Sequence, residues 1–270
     1  MGVTVTVGAN FGLDMRELDF SSIWYADDTA TTSKVFKAYY SNGFIDEFRG
    51  TKFTYDDDGV PTGGTATSYA GFYDGQRVFT IDGASISVKS IVDASLTYDT
   101  KDDLRLIRAE LEGADTFTGG NARDVMFAYG GNDTMKGNAG NDMLAGGTGN
   151  DKIEGGLGGD SLYGEPGADT FIFRSVKEST VAVGGRDTIF DFTSADRIDL
   201  RSIDANTKAS GNQDFSFLGT KDFTGKAGEL RYEKKASDTY IYADTNRDKK
   251  ADFAIHLDDA IALKAGYFLL

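Results

Sequence analysis

The feature that most constrains this chain is a repeat of nine residues. Counted from Glu110, it reads ELEGADTFT, GGNARDVMF, AYGGNDTMK, GNAGNDMLA, GGTGNDKIE, GGLGGDSLY and GEPGADTFI, closing at Ile172 without insertion or deletion. Aspartate holds the sixth place of every unit: Asp115, Asp124, Asp133, Asp142, Asp151, Asp160 and Asp169. A large apolar residue holds the eighth: Phe117, Met126, Met135, Leu144, Ile153, Leu162 and Phe171. Glycine holds the fourth place except at Ala122. A unit this short buries nothing alone, so such periodicity demands stacked coils.

Each unit divides into a turn and a short strand. Glycines at places one, two and four are expected to take positive φ, tightening the turn so that carbonyls point inward. The aspartate adds a charged oxygen, while the eighth residue stacks on its equivalents as a narrow apolar ladder. Hard oxygens in a flexible ring are what Ca²⁺ takes, roughly six to eight of them. The expected ligands are the seven aspartates together with Gly131, Asn132, Gly140, Asn141, Gly147, Gly149, Asn150, Gly156, Gly158, Gly159 and Gly167. Successive turns should fall on opposite sides of a flattened coil. Asp115, Asp133, Asp151 and Asp169 then line one side and Asp124, Asp142 and Asp160 the other. Pairing neighbours on each side gives about five ions, weakest at the Ala122 turn and the two ends. Without metal, a row of carboxylates beside a thin apolar ladder cannot offset the entropy of ordering so many glycines, so folding should be coupled to calcium.

The rest of the composition agrees. A formal charge of −15 disfavours nucleic acid and anionic lipid as partners and favours cations. Cysteine is absent, which excludes disulfides and thiolate metal sites. There is no apolar stretch of about 18 residues for a membrane span. Nor do residues 1–10 carry a basic and then apolar leader, so an export signal is expected at the other end.

Three segments are expected. Residues 1–109 form an N-terminal α+β or mostly β cap, with strand-like runs at Val3 to Val7, Lys34 to Tyr40, Lys52 to Tyr55 and Gln76 to Ile81. Asp56-Asp57-Asp58-Gly59 reads as a hairpin connection. A capping box at Thr100 and Asp103 opens a helix bearing Leu104, Ile107, Arg108 and Leu111, placed to close the open end of the coil. Residues 110–172 are the seven-unit roll, and 173–270 a β-rich C-terminal cap.

The register GGTGNDKIE and GGLGGDSLY resembles the RTX (repeat-in-toxin) family, whose repeats form a parallel β-roll. Gly167 to Phe173, Asp187 to Phe192 and Asp196 to Leu200 are similar to the domain that follows the roll in serralysin-type secreted proteins. The resemblance implies a mostly β fold, export by the type I secretion machinery and an extracellular location, the cell surface included. Gly266 to Leu270 resembles the uncleaved C-terminal signal, although an acidic residue often found before its last apolar group is missing. A second candidate metal site is Asp244, Asn246, Asp248 and Asp252, whose spacing opens like an EF-hand loop; Lys249 stands where the turn glycine would be, and a solvated hairpin turn is the alternative.

Catalysis has little support. One histidine, His256, and no H-E-x-x-H exclude a serralysin-type zinc protease. His256 reads as a partly exposed strand residue facing away from Ile255 and Leu257. No G-x-S-x-G is present. Asp46, Glu47 and Glu110 could form a carboxylate pair, and Trp24, Tyr25, Tyr39, Tyr40, Tyr69, Phe72 and Tyr73 a sugar-stacking face or a core. The expectation is a secreted, non-enzymatic calcium-binding protein that binds a surface, glycan or matrix. Its rival is a secreted polysaccharide-active hydrolase or lyase with its site in residues 1–109, recognisable by a deep pocket of convergent polar groups.

Overall fold

The computed structural model describes residues 2–97 and 100–270. The N-terminal part contains β1 (Thr4–Val7), β2 (Asp28–Thr31), β3 (Val35–Tyr39), β4 (Phe44–Tyr55), β5 (Pro61–Tyr73) and β6 (Gln76–Ser87), then α1 (Val88–Ser95) and α2 (Thr100–Glu110). The repeats contribute β7 (Thr116–Thr118), β8 (Val125–Phe127), β9 (Thr134–Ala139), β10 (Met143–Ala145), β11 (Lys152–Leu157), β12 (Ser161–Tyr163) and β13 (Thr170–Ile172). Beyond them lie β14 (Thr188–Ile189), β15 (Arg197–Asp199), β16 (Ser216–Phe217), β17 (Glu229–Lys234), β18 (Thr239–Asp244), β19 (Phe253–Leu257) and β20 (Phe268–Leu269).

Among the described residues the strands make two sheets, ordered β2-β3-β4-β5-β6-β1-β7-β9-β11-β13-β15-β20 and β16-β17-β18-β19-β14-β12-β10-β8. Consecutive repeat strands alternate between the sheets and pair in parallel with the strand two units away, which is a parallel β-roll. The residues at place eight form the register pairs Phe117–Met135–Ile153–Phe171 on one sheet and Met126–Leu144–Leu162 on the other. All seven are fully buried, because the side-chain period of two turns the middle residue of each short strand inward.

The roll does not stop at Ile172. Ile189 pairs with Leu162, and Ile198 with Phe171, so β14 and β15 add one rung to each sheet. Leu257 and Phe268 add another. At the opposite end a strand joins the expected helix in closing the roll. Val5 of β1 sits in parallel register with Phe117 and in antiparallel register with Ile81, joining the roll to the N-terminal sheet. Asp14 makes a parallel bridge to Val125 on the other side. The helix forms as α2, packing on β6 and α1, and meets the roll at its C-terminal end, where Arg108 lies over the Tyr129 ring and the Leu111 carbonyl accepts the Gly130 amide. Thr100 of the expected capping box has a side chain outside those described. The Asp56 to Gly59 turn joins β4 to β5 as a hairpin, Asp56 Oδ1 accepting the amides of Asp58 and Val60.

Candidate metal centre

The turn aspartates form two ladders with a period of 18 residues. The Asp115 amide donates to Asp133 Oδ1 (2.7 Å), Asp133 to Asp151 (2.8 Å) and Asp151 to Asp169 (2.9 Å). On the other side Asp124 donates to Asp142 and Asp142 to Asp160, both at 2.8 Å. The carboxylates are almost wholly buried. The asparagines at place five run a parallel ladder: Asn132 Oδ1 accepts from the Asn150 amide (2.7 Å), Asn141 from Gly159 (3.0 Å) and Asn150 from Ala168 (2.9 Å).

These bonds occupy only Oδ1. The Oδ2 atoms of Asp115, Asp133, Asp142, Asp151, Asp160 and Asp169 are buried without any hydrogen-bond partner. Asp124 is the exception in the array, its Oδ2 accepting from the Gly120 amide at 2.8 Å in the turn that carries Ala122. Burial pushes the Asp133, Asp142 and Asp169 carboxyls up to about 7, and those of Asp151 and Asp160 up to about 6. A buried oxygen with neither donor nor cation is costly. A hard divalent cation satisfies it, so the donor set fits a calcium-type ion.

The glycines serve two purposes, one of which differs from expectation. At place four, Gly131, Gly140, Gly149 and Gly158 have positive φ, and at place two so do Gly147 and Gly156. Gly159 and Gly167 do not. Place-one glycines such as Gly146 also keep ordinary φ, so the expected left-handed role is wrong there. They are needed for clearance, because a Cβ on Gly146 would overlap Asp151 Oδ2, and one on Gly137 or Gly155 would overlap Asp142 or Asp160 Oδ2. The glycine hydrogens therefore border the orphaned oxygens.

Two ladder members escaped the repeat count. The Asp160 amide donates to Asp187 Oδ1, and that of Asp169 to Asp196 Oδ1, each at 2.9 Å across 27 residues. Asp187 Oδ2 is orphaned like those of the array, whereas Asp196 Oδ2 accepts from Thr193. The signal was legible: Asp187-Thr188-Ile189 and Asp196-Arg197-Ile198 repeat the aspartate and apolar places nine residues apart. A detour through Arg174 to Arg186 takes the place of one coil, so partners fall 27 residues apart instead of 18 although the phase of nine is kept. At the other end the amides of Val3 and Leu13 reach Asp115 and Asp124 Oδ1, both at 2.6 Å, standing in for earlier turns.

The Asp244 loop is built differently. Asp244 accepts from the amides of Asn246, Arg247 and Lys249, and Asp252 from Thr245 and the Asn246 side chain. The amides of Asp248 and Lys250 donate to Asn246 and Asp248. Its oxygens are committed to the turn itself, and the argument from orphaned oxygens does not extend to it.

The remaining candidates separate. Asp46 accepts from the hydroxyls of Tyr40 and Tyr69, each at 2.8 Å, Glu47 pairs with Lys37 and Arg49, and Glu110 accepts the Ser85 amide. Asp46 and Glu47, adjacent on β4, face opposite ways, and Glu110 lies on α2, each with its own partners. The aromatics split too: Tyr69 is core, while Tyr25 and Tyr73 are exposed. Trp24 has a side chain outside those described.

Buried coils, repeated aspartates and orphaned oxygens together define a repeat protein of the parallel β-roll class with calcium-binding-type repeats. The family described as Peptidase M10 serralysin C terminal matches residues 80–266, and the chain belongs to it. Similar solved structures are two subunits of the Azotobacter vinelandii mannuronan C5-epimerase. AlgE6R3 is 30% identical, over 58% of this chain and 78% of that one, with a TM-score of 0.30. AlgE6R2 is 25% identical, over 59% and 89%, with a TM-score of 0.32. No curated protein matches the chain.

Proposed function

We propose that the roll is a calcium-dependent folding module of an exported protein, its ions bridging coils two units apart through the orphaned Oδ2 atoms and turn carbonyls. The observation that carries this reading is the row of partnerless oxygens at Asp115, Asp133, Asp142, Asp151, Asp160, Asp169 and Asp187. Each costs about 1–3 kcal/mol if left unsatisfied. Together they approach the whole stability of a typical domain, about 5–15 kcal/mol. The metal-free roll is then unstable, and calcium supplies the charge that lets the buried oxygens stay ionised. The array aspartates, with the asparagines and glycines of the turns, are the proposed ligands, about five ions in all, with Asp187 extending the row. Three functional parts are proposed: a cap over 1–109, a roll over 110–172 and a C-terminal part over 173–270.

Export unfolded by a type I system, followed by folding where calcium is abundant, accords with a module that cannot fold without the ion. An extracellular role in binding a surface or a polysaccharide accords with the acidic charge. Among the described residues, no helix is long and apolar enough to cross a membrane. The test is circular dichroism of the full chain with Ca²⁺ and with EGTA. A cooperative melt present only with Ca²⁺, and weakened more by Asp151→Ala than by Asp115→Ala, is expected. A melt unchanged by EGTA would overturn the proposal.

A second reading, an enzyme or ligand-binding unit within residues 1–109, is favoured by one feature. A cavity of about 300 Å³ is lined by Asp19, Ser22, Tyr40, Phe44, Asp46 and Tyr69. Burial raises the Asp46 carboxyl, which suits it to hold a proton for transfer. Release of reducing ends from polysaccharides, lost in Asp46→Asn while the calcium-dependent melt persists, is the expected result; absence of turnover in the parent chain rejects the enzymatic form.

A further inference from the structure

The chain has one histidine. Its ring lies on the outer face of the second sheet, as the alternation of β19 requires, and is held from several directions. Nε2 is 2.8 Å from Asp238 Oδ1. Nδ1 is 3.1 Å from the hydroxyl of Thr188, the residue paired with His256 across β14. Tyr240, paired with it across β18, stacks on the imidazole at 4.8 Å with 15° between planes. Asp258 follows directly after β19. One ligand atom each from Asp238, His256 and Asp258 lies within 4.8 Å of the others.

We propose that Asp238, His256 and Asp258 form a site for a first-row divalent cation of the Zn²⁺ type, separate from the aspartate array. The donor set is the first argument. An imidazole nitrogen is a poor ligand for Ca²⁺ but a good one for Zn²⁺, so this site differs in kind from the all-oxygen array. Geometry is the second. Zn²⁺ holds nitrogen and carboxylate oxygen at about 2.0–2.2 Å. Ligand atoms within 4.8 Å of one another must draw closer to share one ion, and Asp258, being exposed, has room to swing towards it. Support around the ring is the third. With Nδ1–H donating to the Thr188 hydroxyl, the Nε2 lone pair is directed at the side of the ring where Asp238 lies, the arrangement in which an outer partner fixes the tautomer of a ligating histidine. Three protein ligands leave a position for water.

The competing account is a plain His256–Asp238 ion pair, in which Asp258 has no part. That difference supplies the test. The full chain, kept in excess Ca²⁺ so that the array is occupied, is titrated with Zn²⁺ at pH 7.5 while the imidazole carbon-proton resonances of the only histidine are followed by NMR. The expected result is a saturable shift of those resonances at a stoichiometry of one. Asp258→Asn should weaken Zn²⁺ binding by about tenfold or more, while leaving the zinc-free resonances and the calcium-dependent melt as in the parent. His256→Gln should remove one bound Zn²⁺ by calorimetry. Resonances that ignore Zn²⁺, or an Asp258→Asn chain that binds as the parent does, would reduce the cluster to an ion pair and overturn the proposal.

Discussion

At each array turn one aspartate oxygen ties down the preceding coil of its own side while, in all but Asp124, its twin faces no donor. That division of labour gives the calcium-free protein a distinctive response to acid. The Asp133, Asp142 and Asp169 carboxyls are raised to about 7 by burial, against 3.8 when exposed. A group raised in this way costs no stability below its unfolded value, since it is protonated in both states. The cost grows as pH rises above 3.8 and is complete above about 7. The EGTA-treated chain should therefore gain β structure as pH is lowered from 7.5 towards 5. Calcium-loaded protein should behave oppositely, needing more Ca²⁺ as protons compete for the same oxygens. Calcium titrations by circular dichroism at pH 5.5, 6.5 and 7.5 check both halves. The stacking of the place-six aspartates in two rows was readable from sequence because their period is unbroken. Asp187 and Asp196 repeat the same places legibly, but which array members they meet was not readable, because the excursion before them separates partners by 27 residues. The clearance role of Gly146 was hidden as well, since a sequence does not show which atom lies against a glycine hydrogen.

At the scale of turns and strands, the tightest constraint falls at place four. Gly149 has φ of 138°, and a Cβ there would run into the Gly131 carbonyl two units earlier. Gly149→Ala should raise the calcium midpoint and lower the melting temperature, losing about 1–3 kcal/mol from the backbone conformation alone. Thr148→Ala, at an exposed neighbour with ordinary φ, should change little; equal effects from the two would contradict the close packing of coils. The strands of the repeats were legible because each carries one inward residue between turn glycines. Helix α1 was not. Its sequence VKSIVDAS is rich in β-branched residues that suit a strand equally well, and only burial of Val88, Ile91 and Ala94 on one face makes it helical. Strand β1 was expected as a strand, but its parallel pairing with β7 joins residues more than a hundred positions apart, which no local pattern encodes.

Over the whole molecule, the segments flanking the roll share its sheets. A single sheet runs from β2, through the roll, to β20 among the described residues, so the N-terminal hairpins and the last strand share one hydrogen-bonded framework with the repeats. This was beyond the reach of composition, which marks three segments without showing how their strands join. The alternation of coils between the two sheets also sets a rule of parity. Two extra nonapeptides would return every later strand to its own side, and the framework would simply lengthen. One extra nonapeptide, though identical in chemistry, would keep the pairs of β14 with β12 and of β15 with β13 but move β15 and β20 onto the sheet of β8, turning the C-terminal part half a turn about the coil axis relative to the N-terminal hairpins. Odd and even insertions would thus differ in which of the last strands lies in line with the N-terminal hairpins, β20 after an even number and β19 after an odd one.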